Sequence, residues 1–253
     1  MENEIKNIQN WIKEQVEQAK KDGVILGISG GIDSAIIAFL ATQALGKEKV
    51  IGVLLPCESS EDSLIDAQNV VSALGIKAYK VDLTKRYQPF KNLFGADETK
   101  AFVNANIKSR LRMTVLAAFA NQNNMLVIGT TNKTELLTGY YTKFGDGGVD
   151  IEPIADFYKT EIYQIAEVLG LPESIINKAP SADLGITSTD EEEFSKIIGE
   201  EITYEEIDKI FKHVIEGEEI DISNISQVKV KGVLSLMYNS EHKRNTPPIY
   251  ERQ

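Results

Sequence analysis

Residues 24–40 read VILGISGGIDSAIIAFL: an apolar run, a glycine pair, and a second apolar run at helical spacing. Val24–Ile28 has the length and β-branched content of a buried strand, and Ala35–Leu45, closed by Gly46, has the pattern of a helix. Between them Gly30 and Gly31 let the backbone turn so that successive amides converge, and the following helix aims the positive end of its dipole at the same point. Such a turn holds an anion. It has neither the Gly-Lys-Ser/Thr ending of a Walker A loop nor the spacing G-x-G-x-x-G. Asp33 nevertheless stands in the first helical turn, and at an effective dielectric near 20 two like charges about 4 Å apart repel by roughly 4 kcal/mol. Two readings stay open: a surface acid that the helix dipole favours by about 0.3–1 kcal/mol, or a carboxylate that binds a divalent cation against the anion.

Working outward, the same alternation repeats. Residues 4–20 place Ile5, Ile8, Ile12, Val16 and Ala19 on one helical stripe, with Trp11 expected to pack on that face. Val50–Leu55 predicts a strand ended by Pro56, Glu61–Leu74 a helix closed by Gly75, and Lys77–Val81 a strand. Ala101–Ala120 predicts a long helix and Met125–Gly129 another strand. Apolar strands joined by helices imply the α/β class, a doubly wound parallel sheet with helices on both faces. Ligands in such sheets collect beyond the carboxyl ends of the strands, where Ser29, Pro56, Asp82 and Thr130 fall.

The second half differs. Residues 129–170 combine a polar strand end, a short helix, a glycine-rich loop at Gly145–Gly148 and a helix over Tyr158–Leu169, the texture of a binding region set on a scaffold. From Asp183 to Glu206 acids dominate, with Lys196 the only base, which predicts an exposed, mobile connection, with closure over a ligand as the further reading. Helices are expected again over Tyr204–Glu216 and Ser223–Tyr238.

The 253 residues are 42% hydrophobic and 26% charged, ordinary for one globular domain over 1–253. No apolar run reaches the roughly 20 residues of a membrane span, and the amino terminus lacks a signal peptide's apolar core, so a cytoplasmic location is expected. Cys57 is the only cysteine, which excludes intrachain disulfides. A net charge of −11 argues against a nucleic-acid surface.

The sequence SGGIDS after a buried strand resembles the pyrophosphate-binding loop of the ATP pyrophosphatases, the adenine nucleotide alpha-hydrolase-like folds that cleave ATP between its α and β phosphates. Further along, NIKSRLRM, GTTNKTELLTGYYTKFGDGGVDIEPI, KAPSADL and EHKR together resemble the ammonia-dependent NAD synthetases, in order and over most of the chain. The resemblance implies that Gly27, Ile28, Ser29, Gly30, Gly31, Ile32, Asp33 and Ser34 wrap the ATP phosphates, with Asp33 and Glu135 as ligands of Mg²⁺. Thr130, Lys159 and Ser181 would contact ATP; Ser181 stands where the family more often has threonine. Arg110, Lys143, Asp150, His242 and Lys243 match positions that contact deamido-NAD, and Tyr140 and Phe144 offer aromatic surface. Asp33, Glu135 and Lys159 would carry the chemistry: adenylation of the nicotinate carboxylate, then displacement of AMP by ammonia.

Plain structural readings stand beside these. Glu135 could be a helix-surface acid, Lys159 a solvated lysine at a helix start, Phe144 a core residue, and His242 a surface residue near the terminus. Cys57 has no evident histidine partner, and the chain has no room for an amidase domain, so ammonia is the expected nitrogen source. The resemblance also implies a homodimer, formed through the Ala101–Ala120 helix. A tRNA-thiolating or lysidine-forming enzyme of the same loop class is a second reading, disfavoured by the acidic charge. A nucleotide-binding sensor without chemistry is a third.

Overall fold

A computed structural model describes residues 1–94, 100–180 and 188–252. Its centre is a parallel sheet of β1 (Val24–Gly27), β2 (Val50–Leu54), β3 (Lys77–Lys80) and β4 (Leu126–Val127), in the order β3-β2-β1-β4. Val24 pairs with Val50 on one side and with Leu126 on the other. A parallel bridge from Ile128 to Ile151 extends the far edge. The order reverses between β1 and β4, so the switch point, where such sheets bind ligands, lies at the loop that follows β1.

Alternation along β1 decides what covers each face. Val24 and Leu26 face the larger core, formed with α1 (Glu2–Gln18), α2 (Ile32–Leu45) and α3 (Glu61–Leu74). Ile25 turns to the opposite face with Ile51 and Val53. There α4 (Thr84–Phe94) and α5 (Ala101–Asn123) cover it through Tyr87, Leu111, Val115 and Leu116. The α2 helix lies deepest; Ile36, Ile37 and Leu40 are fully buried, which fits a helix that is apolar nearly all round.

The chain then forms α6 (Lys133–Thr138), α7 (Lys159–Leu169) and the short α8 (Glu173–Ile176). A third core of Phe194, Ile207, Ile210, Phe211 and Val233 joins α9 (Asp190–Ile198), α10 (Tyr204–Val214) and α11 (Gln227–Asn239), followed by α12 (Glu241–Arg244). Among the described residues no helix is long and apolar enough to cross a membrane.

Several expectations need correction. Trp11 is exposed, because its position lies about a quarter-turn off the Ile5–Ile8–Ile12–Val16 stripe. Ala19 is exposed too, being the residue at which α1 ends. The β3 strand is an edge strand and mostly exposed rather than apolar on both faces. The acidic connection is ordered where it is described. Thr189 caps α9 by accepting from Glu192 N, and Asp190, Glu193 and Phe194 share one face and are buried. Four acids in the first turn of α9 suit its positive end. Residues 183–187 of that expectation lie outside the described residues.

Candidate active site

The loop after β1 is built by its own serines. Ser34 Oγ accepts from Ser29 N at 3.2 Å and donates to the Gly31 carbonyl at 3.0 Å, while Ser29 Oγ accepts from Gly31 N at 3.2 Å. Both hydroxyls serve the turn before any ligand arrives. Gly30 has φ +85°, and a Cβ there would sit 2.4 Å from the Ser63 carbonyl oxygen; its role is to let α3 approach. The other seven residues of Gly27–Ser34 line a cavity of about 910 Å³, whereas Gly30 does not. The first turn of α2, whose amides have no intrahelical partner, forms part of that wall.

Three charged side chains from separate segments meet at the cavity. Lys159 Nζ is 2.6 Å from Asp33 Oδ2 and 3.9 Å from Glu135 Oε1, and its side chain is 2% exposed. Lys159 is therefore not the solvated lysine its place at the start of α7 suggested. Asn132, fully buried, ties the two acids together. Its Nδ2 donates to Asp33 Oδ1 at 3.1 Å, its Oδ1 accepts from Glu135 N at 3.0 Å, and its backbone N donates to Glu135 Oε2 at 3.1 Å. The last two bonds are a capping box at the start of α6.

Burial, and then the neighbouring Asp33, hold the Glu135 carboxyl well above the usual carboxylate range, against the pull of Lys159. Burial opposes the charge on Lys159, but Asp33 and Glu135 outweigh it and hold the ammonium above its ordinary value. Two acids thus face one buried cation. Among the described residues no group of three His, Cys, Asp or Glu side chains could hold a metal by itself. Asp33 and Glu135 are instead an oxygen-only pair, the donor set with which Mg²⁺ is held when phosphate oxygens and water complete its shell. The residues present fit that ion together with a nucleotide.

Of the other expected contacts, Thr130 and Lys243 line the cavity. Lys243 Nζ donates to the carbonyls of Gly139 and Tyr141 at 2.7 and 2.8 Å, and burial lowers its pKa. Arg110, Lys143 and His242 gather outside the cavity: Arg110 reaches the Lys143 carbonyl at 3.4 Å, and Lys143 Nζ donates to the His242 carbonyl. Asp150 lies apart, accepting from Val127 N at 2.7 Å at the end of β4. Phe144 is 57% exposed rather than core, and its ring lies under Lys143 Nζ at 5.5 Å. The Tyr140 ring packs 4.8 Å from Phe194. Ser181 lies outside the described residues. Cys57 is fully buried, and burial pushes its thiol up despite Arg112 and Lys108 nearby.

Sequence reasoning missed Asn132, although N-x-x-E in NKTE is a capping-box signal. It also missed Arg112, which donates to the Leu55 carbonyl at 3.0 Å in the cavity wall, and Asp190, which accepts from Tyr204 OH at 3.0 Å. Arg112 stands in NIKSRLRM, two residues past Arg110, whereas Asp190 lies in none of the quoted motifs; each is brought to the cavity by tertiary packing.

A glycine turn between β1 and α2 at the switch point of a parallel sheet, with paired acids and a buried lysine beside it, defines a protein of the pyrophosphate-loop, alpha-hydrolase-like fold. Residues 4–247 match the model of the NAD synthase family, and the chain belongs to that family. A curated relative, the NH(3)-dependent NAD(+) synthetase of Thermococcus sibiricus, is 43% identical over 249 residues, 96% of this chain and 94% of that one. Among solved structures, an NMN synthetase from Francisella tularensis superimposes with a TM-score of 0.86 at 30% identity, over 99% of this chain and 98% of that one. An NH3-dependent NAD synthetase from Campylobacter jejuni gives a TM-score of 0.83 at 29% identity, with the same coverage.

Proposed function

We propose that the protein amidates the nicotinate carboxylate of deamido-NAD with ammonia at the expense of ATP, releasing AMP and pyrophosphate. The observation that carries this reading is the convergence of Asp33, Glu135 and Lys159 at the mouth of the β1–α2 loop. A carboxylate is a poor acyl donor, so one of its oxygens must first become part of a leaving group. One carboxylate oxygen attacks the α-phosphorus of ATP, the bond to the β-phosphate oxygen breaks, and pyrophosphate departs. Ammonia then adds to the acyl carbon, gives up a proton, and AMP leaves with that oxygen.

No side-chain nucleophile is needed; positioning and charge neutralisation do the work. The loop amides and the α2 dipole hold the phosphates, Lys159 neutralises charge on them as a compact cation, and Asn132 fixes both acids in place. Asp33 and Glu135 would hold Mg²⁺, which when bound neutralises phosphate charge as the α–β bond breaks. The dimensions support two ligands at once, since about 910 Å³ lies near the top of the range for small-molecule sites. The curated relatives, which are NH(3)-dependent NAD(+) synthetases, support ammonia as the donor. Exposed Phe90, Leu93, Phe102 and Val103 on α4 and α5 support a homodimer through that side.

The test is turnover with deamido-NAD, ATP, Mg²⁺ and ammonium, following pyrophosphate, AMP and NAD. Equal amounts of the three are expected, with losses of more than about a hundredfold in Asp33→Asn and Glu135→Gln. Faster turnover of nicotinate mononucleotide, the reading the Francisella relative suggests, would overturn the choice of substrate. Unchanged turnover in both variants would overturn the site.

A further inference from the structure

One row of α10 side chains has no role in the chemistry above, yet each of its members reaches the start of α6 or α7. At four-residue intervals, α10 and the second residue past its end present Tyr204, Asp208, Lys212 and Glu216. The Tyr204 ring lies 5.5 Å from Lys159 Nζ. Lys212 Nζ is 3.4 Å from Glu161 Oε1. Glu216 Oε1 pairs with Lys133 Nζ at 2.5 Å and accepts from Tyr158 OH at 3.0 Å. Asp208 is the most buried acid of the row at 2% exposure, and its carboxylate bonds a residue inside each of the two helices. Its Oδ1 accepts from Thr134 Oγ1 at 2.5 Å and its Oδ2 from Thr160 N at 3.0 Å. The Thr134 hydroxyl in turn accepts from Lys159 N at 2.9 Å.

We propose that Asp208 is a positioning residue: by bridging Thr134 on α6 and Thr160 on α7, it sets the spacing between Glu135 and Lys159. Both neighbours matter, because Thr134 immediately precedes Glu135 and Thr160 immediately follows Lys159. Packing alone does not call for a carboxylate here. A buried acid costs free energy that an apolar side chain of similar size avoids, so the bonds it makes are its distinguishing contribution. The inference rests on the adenylation reading for what Glu135 and Lys159 do, but the spacing itself is a property of the ligand-free protein.

The experiment compares Asp208→Asn, Thr134→Val, their double variant and Thr134→Ser, each checked for folding by circular dichroism and thermal melting. In Asp208→Asn and Thr134→Val, kcat should fall about 10–100-fold, with KM for ATP and the dinucleotide within about threefold. The double variant should lose no more than the worse single one, and Thr134→Ser, which keeps the hydroxyl, should recover most of the loss. Ligand-free crystals should show Lys159 Nζ moved relative to Glu135, 3.9 Å away in the wild type, by on the order of 1 Å, a displacement large enough for such losses. A fall in melting temperature with kcat within about twofold, or an unmoved Lys159, overturns the proposal. Should Asp208→Asn not fold, Thr134→Val carries the same comparison. Failure of the wild-type protein to amidate deamido-NAD would overturn the adenylation reading alone, since the crystals still report on Asp208.

Discussion

Replacing Lys159 by Met keeps the volume of the stem and removes the charge between the two acids. At an effective dielectric near 20, the ammonium at 2.6 Å attracts Asp33 by about 6 kcal/mol, and at 3.9 Å it attracts Glu135 by about 4 kcal/mol, before desolvation is counted. Burying the ammonium offsets much of that. Removing one partner of such a group leaves uncompensated buried charge and costs about 3–5 kcal/mol, which for a chain of this size lowers the melting temperature by about 10 °C. The loss should depend on pH. Glu135 already has a raised carboxyl pKa, and without Lys159 it rises further. An acid with a raised folded-state pKa binds more protons folded than unfolded, so stability falls as pH rises from the ordinary carboxylate value through the raised one. Denaturant unfolding of the ligand-free protein between about pH 5 and about pH 9 should therefore show the variant's deficit shrinking toward the acid end. A loss below about 1 kcal/mol, or one constant across that range, would refute the reasoning.

Two further outcomes follow from the same structure. Burial pushes Glu152 up to about 7, although its carboxylate accepts from Thr131 N at 3.2 Å, so its ionisation costs stability as pH rises from the ordinary range through about 7. Glu152→Gln can keep that acceptor and should exceed the wild type by about 3 kcal/mol at about pH 8, with no gain at about pH 4; equal stability at both would contradict the assignment. In Gly30→Ala the new Cβ meets the Ser63 carbonyl oxygen at φ +85°, which should cost about 3 kcal/mol and weaken nucleotide binding in calorimetry. Gly31→Ala, at φ −85° with its nearest contact at 3.3 Å, should be milder; equal losses would refute the role given to Gly30.

The winding was legible because VILG, VIGVL and the glycines that close α2 and α3 carry local signals: β-branched runs, helical spacing and caps. Asp33 was legible because a carboxylate in an anion loop is a local contradiction. Lys159 was marked by position, but its burial was hidden, since a lysine at a helix start ordinarily stays in water. The helix α9 is misread because a run of acids looks solvated, whereas its packing against α11 buries Asp190 and Glu193, which bond Tyr140 and Tyr204. Asp208 was invisible for the same reason: its partners are 74 and 48 residues away. Local chemistry is written in spacing, whereas a buried polar network is written in the packing of distant segments.

The central claim is that Asp33, Glu135 and Lys159 serve attack of the substrate carboxylate on the α-phosphate. Deamido-NAD carrying heavy oxygen in both positions of its nicotinate carboxylate tests this most directly, with mass analysis of the phosphorus products. The account predicts one heavy oxygen in each AMP, none in pyrophosphate, and the other retained in the amide of NAD. Label appearing in inorganic phosphate, with ADP as the partner product, would contradict it.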